Sequence, residues 1–288
     1  MSADAIVAEN LTYRYGELLA VDHINFTVAK GEILGFLGPN GAGKTTTVKM
    51  LTGQLRPREG RAILLGMDVA RNTERVQAEI GICFETANLY EQMSAAENLE
   101  LFARLFGVKS FDARALLKRV GLAGREKDRV DHYSKGMKQR LMVARSLVSS
   151  PQILFLDEPT AGLDPTSSEA IRNIILEERE RGATVFLTTH DMWEADKLSD
   201  RVAFMNQGRV AALDTPHNLK LQYGRRALKA EISSGSGGLE VREIPLDTPE
   251  TPQAVQKLLA DERVLTIHSE EATLEDIFIQ LTGRRLTE

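Results

Sequence analysis

The 288-residue chain contains one cysteine, Cys83, so no internal disulfide can form. That residue sits in an apolar stretch that reads as a buried strand, which fits a reducing, cytosolic compartment. No apolar run approaches the ~20 residues needed to cross a bilayer, and the first residues do not read as a secretion signal. The expectation is a chain on the cytoplasmic side, with any membrane pore in another polypeptide. Net charge is only -5, and no block of Lys or Arg resembles a nucleic-acid tail, so no nucleic-acid partner is expected. The length suffices for one large domain and a small appendix.

What the sequence does have is a set of motifs in fixed order. GPNGAGKTT spans Gly38 to Thr46, YSKGMKQR Tyr133 to Arg140, ILFLDEPTAGLDP Ile153 to Pro165, and TTH Thr188 to His190. The first fits G-x-x-x-x-G-K-[ST], the P-loop pattern. Its context agrees: Glu32 to Gly38 reads as a buried strand, and Thr46 to Leu51 as the helix that follows. A triphosphate must be wrapped by backbone N–H groups, which needs residues tolerant of positive φ and close approach. Gly38, Pro39, Asn40, Gly41 and Gly43, with Thr46, are expected to form that wrap. Lys44 supplies a charge for the β- and γ-phosphates, and Thr45 a hydroxyl for Mg2+. Outside that context the same residues would be a glycine-rich turn with a surface lysine.

Ile153 to Leu156 reads as a second buried strand, ending in Asp157 and Glu158. Charges at a strand end in a core need a partner or a metal, and ligands of open α/β sheets gather at the carboxyl ends of strands. Asp157 is expected in the magnesium shell, matching the Walker-B aspartate of P-loop enzymes. Glu158 is the candidate general base toward the attacking water, a role worth ~10²- to 10⁴-fold in rate. An Asp-Glu pair is common by itself; the following PTAGLD sharpens it. Ala183 to His190 gives a third strand with His190 at its tip, expected to hydrogen-bond the γ-phosphate and keep Glu158 in line. His23, His132, His217 and His268 lack such a setting and read as surface residues.

Together, YSKGMKQR, LDEPTAGLD and the P-loop resemble the nucleotide-binding domain of ATP-binding cassette (ABC) transporters, from about Ile6 to Leu221. The resemblance implies an α/β P-loop NTPase cassette over residues 1–224, a RecA-like core with antiparallel β and α-helical subdomains, the helical part at roughly 86–150. It implies that Tyr15 stacks on adenine, that Ser134 and Gly136 meet the γ-phosphate of ATP bound to the opposite subunit, and that Asp164 couples the two sites. ATP hydrolysis is then expected only in a dimer, homodimeric or with a close paralogue. The chain departs from the family at two points. YSKGM replaces LSGGQ, which is either subfamily variation or a degenerate, slower site. Glu85 stands where a glutamine usually touches Mg2+ and water; its charge either tightens the metal or repels the phosphates. In the family, the region matching Asn88 to Phe106 forms a groove for a helix of the membrane subunit; a plain surface helix beginning near Ser94 is the other reading.

The pattern changes near Gly224. Residues 225–288 read as a small α+β domain: two strands around Leu228, Ala230, Ile232 and Leu239, Val241, joined by a flexible SSGSGG loop. A helix starts at Thr251 and Pro252 with Ala254, Val255, Leu258 and Leu259 on one face. A strand through Val264, Leu265 and Ile267 follows, then a helix opened by a Thr273/Asp276 capping box. The ending ATLEDIFIQLTG resembles exporter ATPases of the drug-resistance and ABC-2 type, and the domain reads as regulatory, dimerising or a packing appendage. The leading expectation is an ATPase subunit that energises a separate transmembrane permease by ATP-driven dimerisation. The alternatives are a soluble ABC ATPase in a non-transport process, or an ATP-gated binding switch with little hydrolysis.

Overall fold

The computed structural model describes residues 4–224, 227–234, 238–246, 248–261, 263–270 and 272–283. The chain opens with β1 (Asp4–Tyr15) and β2 (Leu18–Ala29), a long hairpin whose alternation places Ile6 opposite Val28, Ala8 opposite Phe26 and Leu11 opposite Ile24 on a buried face. Next come β3 (Ile33–Leu37), α1 (Lys44–Leu51), β4 (Glu59–Leu64), β5 (Met67–Asp68), α2 (Thr73–Glu79) and β6 (Ile80–Cys83). Helices α3 (Ala95–Leu105), α4 (Ala113–Arg119) and α5 (Lys135–Ser146) precede β7 (Ile153–Asp157), α6 (Pro165–Glu180), β8 (Thr184–Thr189), α7 (Met192–Leu198), β9 (Arg201–Asn206) and β10 (Arg209–Asp214).

These strands form two sheets. An antiparallel sheet has the order β2-β1-β4-β5; a larger one runs β10-β9-β3-β8-β7-β6, parallel except for the edge strand β10. The central strands β3, β7 and β8 are buried at every position because both faces are covered. Leu154, Leu156, Val185 and Leu187 point into one core with α3 to α6 residues such as Leu99, Leu117, Leu141 and Ile171. Ile153, Phe155 and Phe186 point into the other, with Phe26 and Phe36. Register aligns the strand ends: Leu37 lies opposite Thr189, Asp157 opposite Thr188, and Cys83 opposite Leu156. The carboxyl ends of β3, β6, β7 and β8 therefore share one edge.

Helix α3 starts where its capping residues dictate. Ser94 N donates to Glu97 Oε2 at 2.7 Å and Glu97 N to Ser94 Oγ at 3.3 Å, a complete capping box. Between β6 and α3, the Asn88 carbonyl accepts from Arg145 Nη1 of α5 at 2.6 Å, and the same guanidinium lies 4.7 Å from the centre of the Phe102 ring of α3.

The described residues divide into two compact units between Thr215 and Pro216. The division precedes the pattern change at Gly224 because helix α8 (Pro216–Tyr223) packs on α10 (Leu274–Thr282) of the second unit. That unit contains β11 (Ala227–Ser234), β12 (Gly238–Pro245), α9 (Thr251–Leu259), β13 (Val264–Glu270) and α10 (Leu274–Thr282), with strand order β12-β11-β13. Its core gathers Ala230, Ile232, Ile244 and Leu258. Leu259, expected on the buried face of α9, is instead 68% exposed, since the stripe through Ala254, Val255 and Leu258 has already turned past it. The α10 capping box forms as expected, with Thr273 N donating to Asp276 Oδ2 at 2.9 Å. Of the expected SSGSGG loop, Ser233 and Ser234 end β11, Gly238 opens β12, and residues 235–237 lie outside the described residues.

Phe186 sits at the centre of an aromatic cluster, its ring 5.1 Å from Phe36, 5.6 Å from Phe155 and 5.9 Å from Phe26. Phe186→Ala is expected to cost ~3–5 kcal/mol of unfolding free energy, measurable as a fall in the denaturant midpoint at constant m.

Candidate functional site

The loop from Gly38 to Gly43 leaves the end of β3 and feeds α1. Gly43 has φ 108°, and a Cβ there would run into the Ala20 carbonyl oxygen, so glycine is required. No side chain caps α1 and no acid stands in its first turn. Its leading N–H groups, together with its dipole, form an anion-seeking end. Lys44 folds back over the loop: its Nζ donates to Gly38 O at 2.6 Å and lies 3.2 Å from Glu158 Oε1.

Glu158 follows directly on β7. Its φ is +51°, a left-handed conformation that costs a non-glycine residue ~1–2 kcal/mol. The turn buries the carboxylate to 7% exposure, beside a lysine at 6%. The imidazole of His190 donates from Nδ1 to Glu158 Oε2 at 2.7 Å. Oε1, by contrast, has no aligned hydrogen-bond donor even though Lys44 is close; it is a buried carboxylate oxygen facing the loop with its bonding capacity unused. Asp157 is held on both sides: Thr45 Oγ1 donates to Oδ2 at 2.9 Å and Thr188 Oγ1 donates to Oδ1. Thr188 also receives the Glu158 amide, at its carbonyl (3.0 Å) and its hydroxyl (3.2 Å).

A cavity of about 350 Å³ opens over this arrangement, lined by Tyr15, Leu18, Asn40, Lys44, Thr46 and Glu158 among others. Pro39, Gly41, Gly43, Thr45 and Glu85 also reach it. One end is aromatic and apolar, the other is loop backbone, lysine and carboxylate, which matches a flat base at one end and polyphosphate at the other. A second cavity of about 290 Å³ brings Thr45, Glu85 and Asp157 together, an oxygen donor set of the kind Mg2+ takes.

Ser134, Gly136 and Asp164 are not part of this cavity; they make a separate group. Ser134 caps α5, accepting from Met137 N at 3.2 Å, and Asp164 caps α6, accepting from Ser167 N at 2.9 Å. That amide holds the Asp164 carboxyl below its usual range. Gly136 packs so tightly between them that a Cβ would stand 2.5 Å from Ser167 Oγ and 3.4 Å from Asp164 Oδ2. Two exposed helix starts thus sit side by side.

His23, His132, His217 and His268 are exposed as expected. Motif reading missed the part played by Thr188; the available signal was a β-branched hydroxyl at the end of a buried strand, next in register to an acid. Cys83 lies at the end of β6, and burial pushes its thiol up to about 12.

Residues 21–161 match the ABC transporter family. The chain is 45% identical to a fluoroquinolones export ATP-binding protein of Mycobacterium tuberculosis (strain ATCC 25618 / H37Rv) over 289 residues, covering 100% of this chain and 96% of the relative. It is 38% identical to a daunorubicin resistance ATP-binding protein of Streptomyces coeruleorubidus, covering 99% and 97%. Among solved structures, an ATP-binding subunit of an ABC transporter superposes with a TM-score of 0.71 at 30% identity, covering 76% of this chain and 93% of that one. A dimeric ATP-binding cassette in a post-hydrolysis state, bound to ADP and Pi, gives 0.67 at 26%, covering 73% and 98%. These matches do not favour the non-transport and binding-switch readings. With relatives of this kind matching from end to end, the chain belongs to the ABC transporter family as one of its ATP-binding subunits, an ATPase.

Proposed function

We propose that this ATPase subunit works on the cytoplasmic face of a membrane and powers export through a separate permease of the ABC-2 type, paired with a second nucleotide-binding subunit. The observation that carries the site assignment is the convergence of Lys44, Glu158 and His190 at adjoining strand ends, with Asp157 clamped between Thr45 and Thr188. The relatives named for drug export and resistance support the transport direction. Among the described residues no helix is long and apolar enough to cross a membrane, and the pore is assigned to another chain.

In this reading Tyr15 stacks on adenine while the Gly38–Thr46 loop and Lys44 hold the phosphates. Thr45, Asp157 and Glu85 hold Mg2+, which when bound screens charge on the phosphate oxygens. Glu158 Oε1, the oxygen without an aligned donor, takes the proton of the attacking water. The water oxygen bonds to the γ-phosphorus, the bond to the β–γ bridging oxygen breaks, and ADP leaves with that electron pair. His190 keeps the Glu158 carboxylate aimed. Ser134 and Gly136 complete the same site on the partner subunit, and Asp164 couples the two halves. The exposed Tyr90, Leu105 and Phe106, around α3, offer the permease an apolar docking surface.

Glu158→Gln is expected to bind ATP normally while kcat falls ~10²- to 10⁴-fold, and gel filtration should show an ATP-trapped dimer; a mutant that turns over like the wild type contradicts the assignment. Lys44→Ala removes charge-assisted hydrogen bonds worth ~1.5–3 kcal/mol each. Calorimetry should therefore show ATP affinity weakened at least ~10-fold. Ser134→Arg should retain ATP binding by the monomer and abolish ATP-driven association, which analytical ultracentrifugation reads directly.

A further inference from the structure

The turn carrying His190 and the loop carrying Asp164 are joined by a carboxylate that the chemistry above does not use. Glu194, on α7, is fully buried at 0% exposure. Its Oε2 accepts from Thr160 Oγ1 at 2.9 Å, and its amide donates at 3.0 Å to Oδ1 of Asp191, the residue that caps α7. Oε1 has no hydrogen-bond partner; Arg172 Nη1 of α6 stands 3.7 Å away. Burial pushes this carboxyl up from its usual range, opposed by the Thr160 bond.

The partners are what give this residue its meaning. Thr160 lies on the loop between Glu158 and Asp164, Asp191 immediately follows His190, and Arg172 belongs to the helix that Asp164 caps. A single residue therefore bonds or pairs with three segments surrounding the proposed catalytic group. An apolar residue would fill the same space without leaving a carboxylate oxygen unbonded, so packing alone does not call for glutamate here.

We propose that Glu194 is a positioning residue: standing on the helix that Asp191 caps and bonded to Thr160, it holds the His190 turn and the Asp164 loop in fixed relation, so that displacement of one is transmitted to the other. The proposal rests on the assignment of Glu158 and His190 to ATP hydrolysis. The molecule carries its own reporter. Trp193, the only tryptophan in the chain, is 58% exposed and lies under the Arg172 guanidinium, 5.3 Å from the ring centre. Because Arg172 faces both Glu194 and Trp193, a shift in the network alters the environment of the indole.

The test uses the full chain with Glu194→Ala, Glu194→Gln and Thr160→Val, measuring kcat, ATP affinity by calorimetry and Trp193 emission on adding ATP. Glu194→Ala and Thr160→Val are expected to lose roughly tenfold or more in kcat with ATP affinity held within about threefold. Their Trp193 response to ATP should fall to about half or less, whereas Glu194→Gln, whose amide oxygen still accepts from Thr160, keeps about a third or more of kcat. Affinity falling in step with kcat, or a Gln variant as impaired as Ala, overturns the proposal. Should Glu194→Ala not fold, Thr160→Val with wild-type turnover is decisive against it. Glu158→Gln, run in parallel, separates the two levels: if it is fully active the catalytic assignment fails, and if it is inert beside active Glu194→Ala and Thr160→Val only the coupling fails.

Discussion

Burying a carboxylate between a lysine and a histidine sets terms for everything around it. Glu158 is nearly inaccessible, so its charge has to be compensated within the protein, and removing one partner would leave a buried, unpaired ion. Lys44 supplies that compensation from the first turn of α1, and His190 from the turn after β8. Three strand ends must therefore coincide, which the parallel register of β3, β8 and β7 accomplishes. The left-handed backbone at Glu158 is a cost of the same requirement, since it turns the chain at once after Asp157 and leaves the two acids with separate partners.

The helical part of the cassette answers to a different buried charge. Arg145 is 5% exposed, and among the described residues it pairs with no carboxylate; burial pulls its pKa down. It is satisfied instead by both polar groups of Asn88 and by the face of Phe102. Asn88 belongs to the segment that begins with Glu85, Phe102 to α3, and Arg145 to the helix that Ser134 caps. The loop that lines both cavities, the proposed docking helix and the helix that Ser134 caps thereby meet at one guanidinium.

The strands and helices that carry the motifs were legible because their causes are local. Ile153 to Leu156 is apolar at every position, as a strand covered on both faces must be, and Ser134, Ser94 and Thr273 announce their helices as capping residues. Partnerships across strands leave no such mark. Nothing near Thr188 in sequence shows that its hydroxyl meets Asp157, and nothing in the run from Asp191 to Leu198 shows that Glu194 points inward to Thr160. The unit boundary was hidden for a related reason: α8 reads like the end of the cassette, and only its packing on α10 assigns it to the second unit.

The altered signature is best judged by what each substituted side chain does. Tyr133, in place of leucine, is buried and spends its hydroxyl on the Arg125 carbonyl at 2.7 Å, so the added polar atom is satisfied away from the helix start. Lys135, in place of glycine, sends its ammonium over Gly162, where a Cβ would stand 2.5 Å from Nζ; it fills space that the turn at positive φ leaves open. Met137, in place of glutamine, packs partly buried against the core, and none of the three changes disturbs Ser134, which caps α5, or Gly136, which packs on Ser167 and Asp164. The two groups proposed to meet phosphate keep their geometry because the substitutions around them are absorbed on the inner and loop-facing sides of the helix start. That arrangement is the one the proposed function requires of Ser134 and Gly136. It also places a lysine beside the very turn that leads to Asp164, a cation at the face where the partner's nucleotide is proposed to bind.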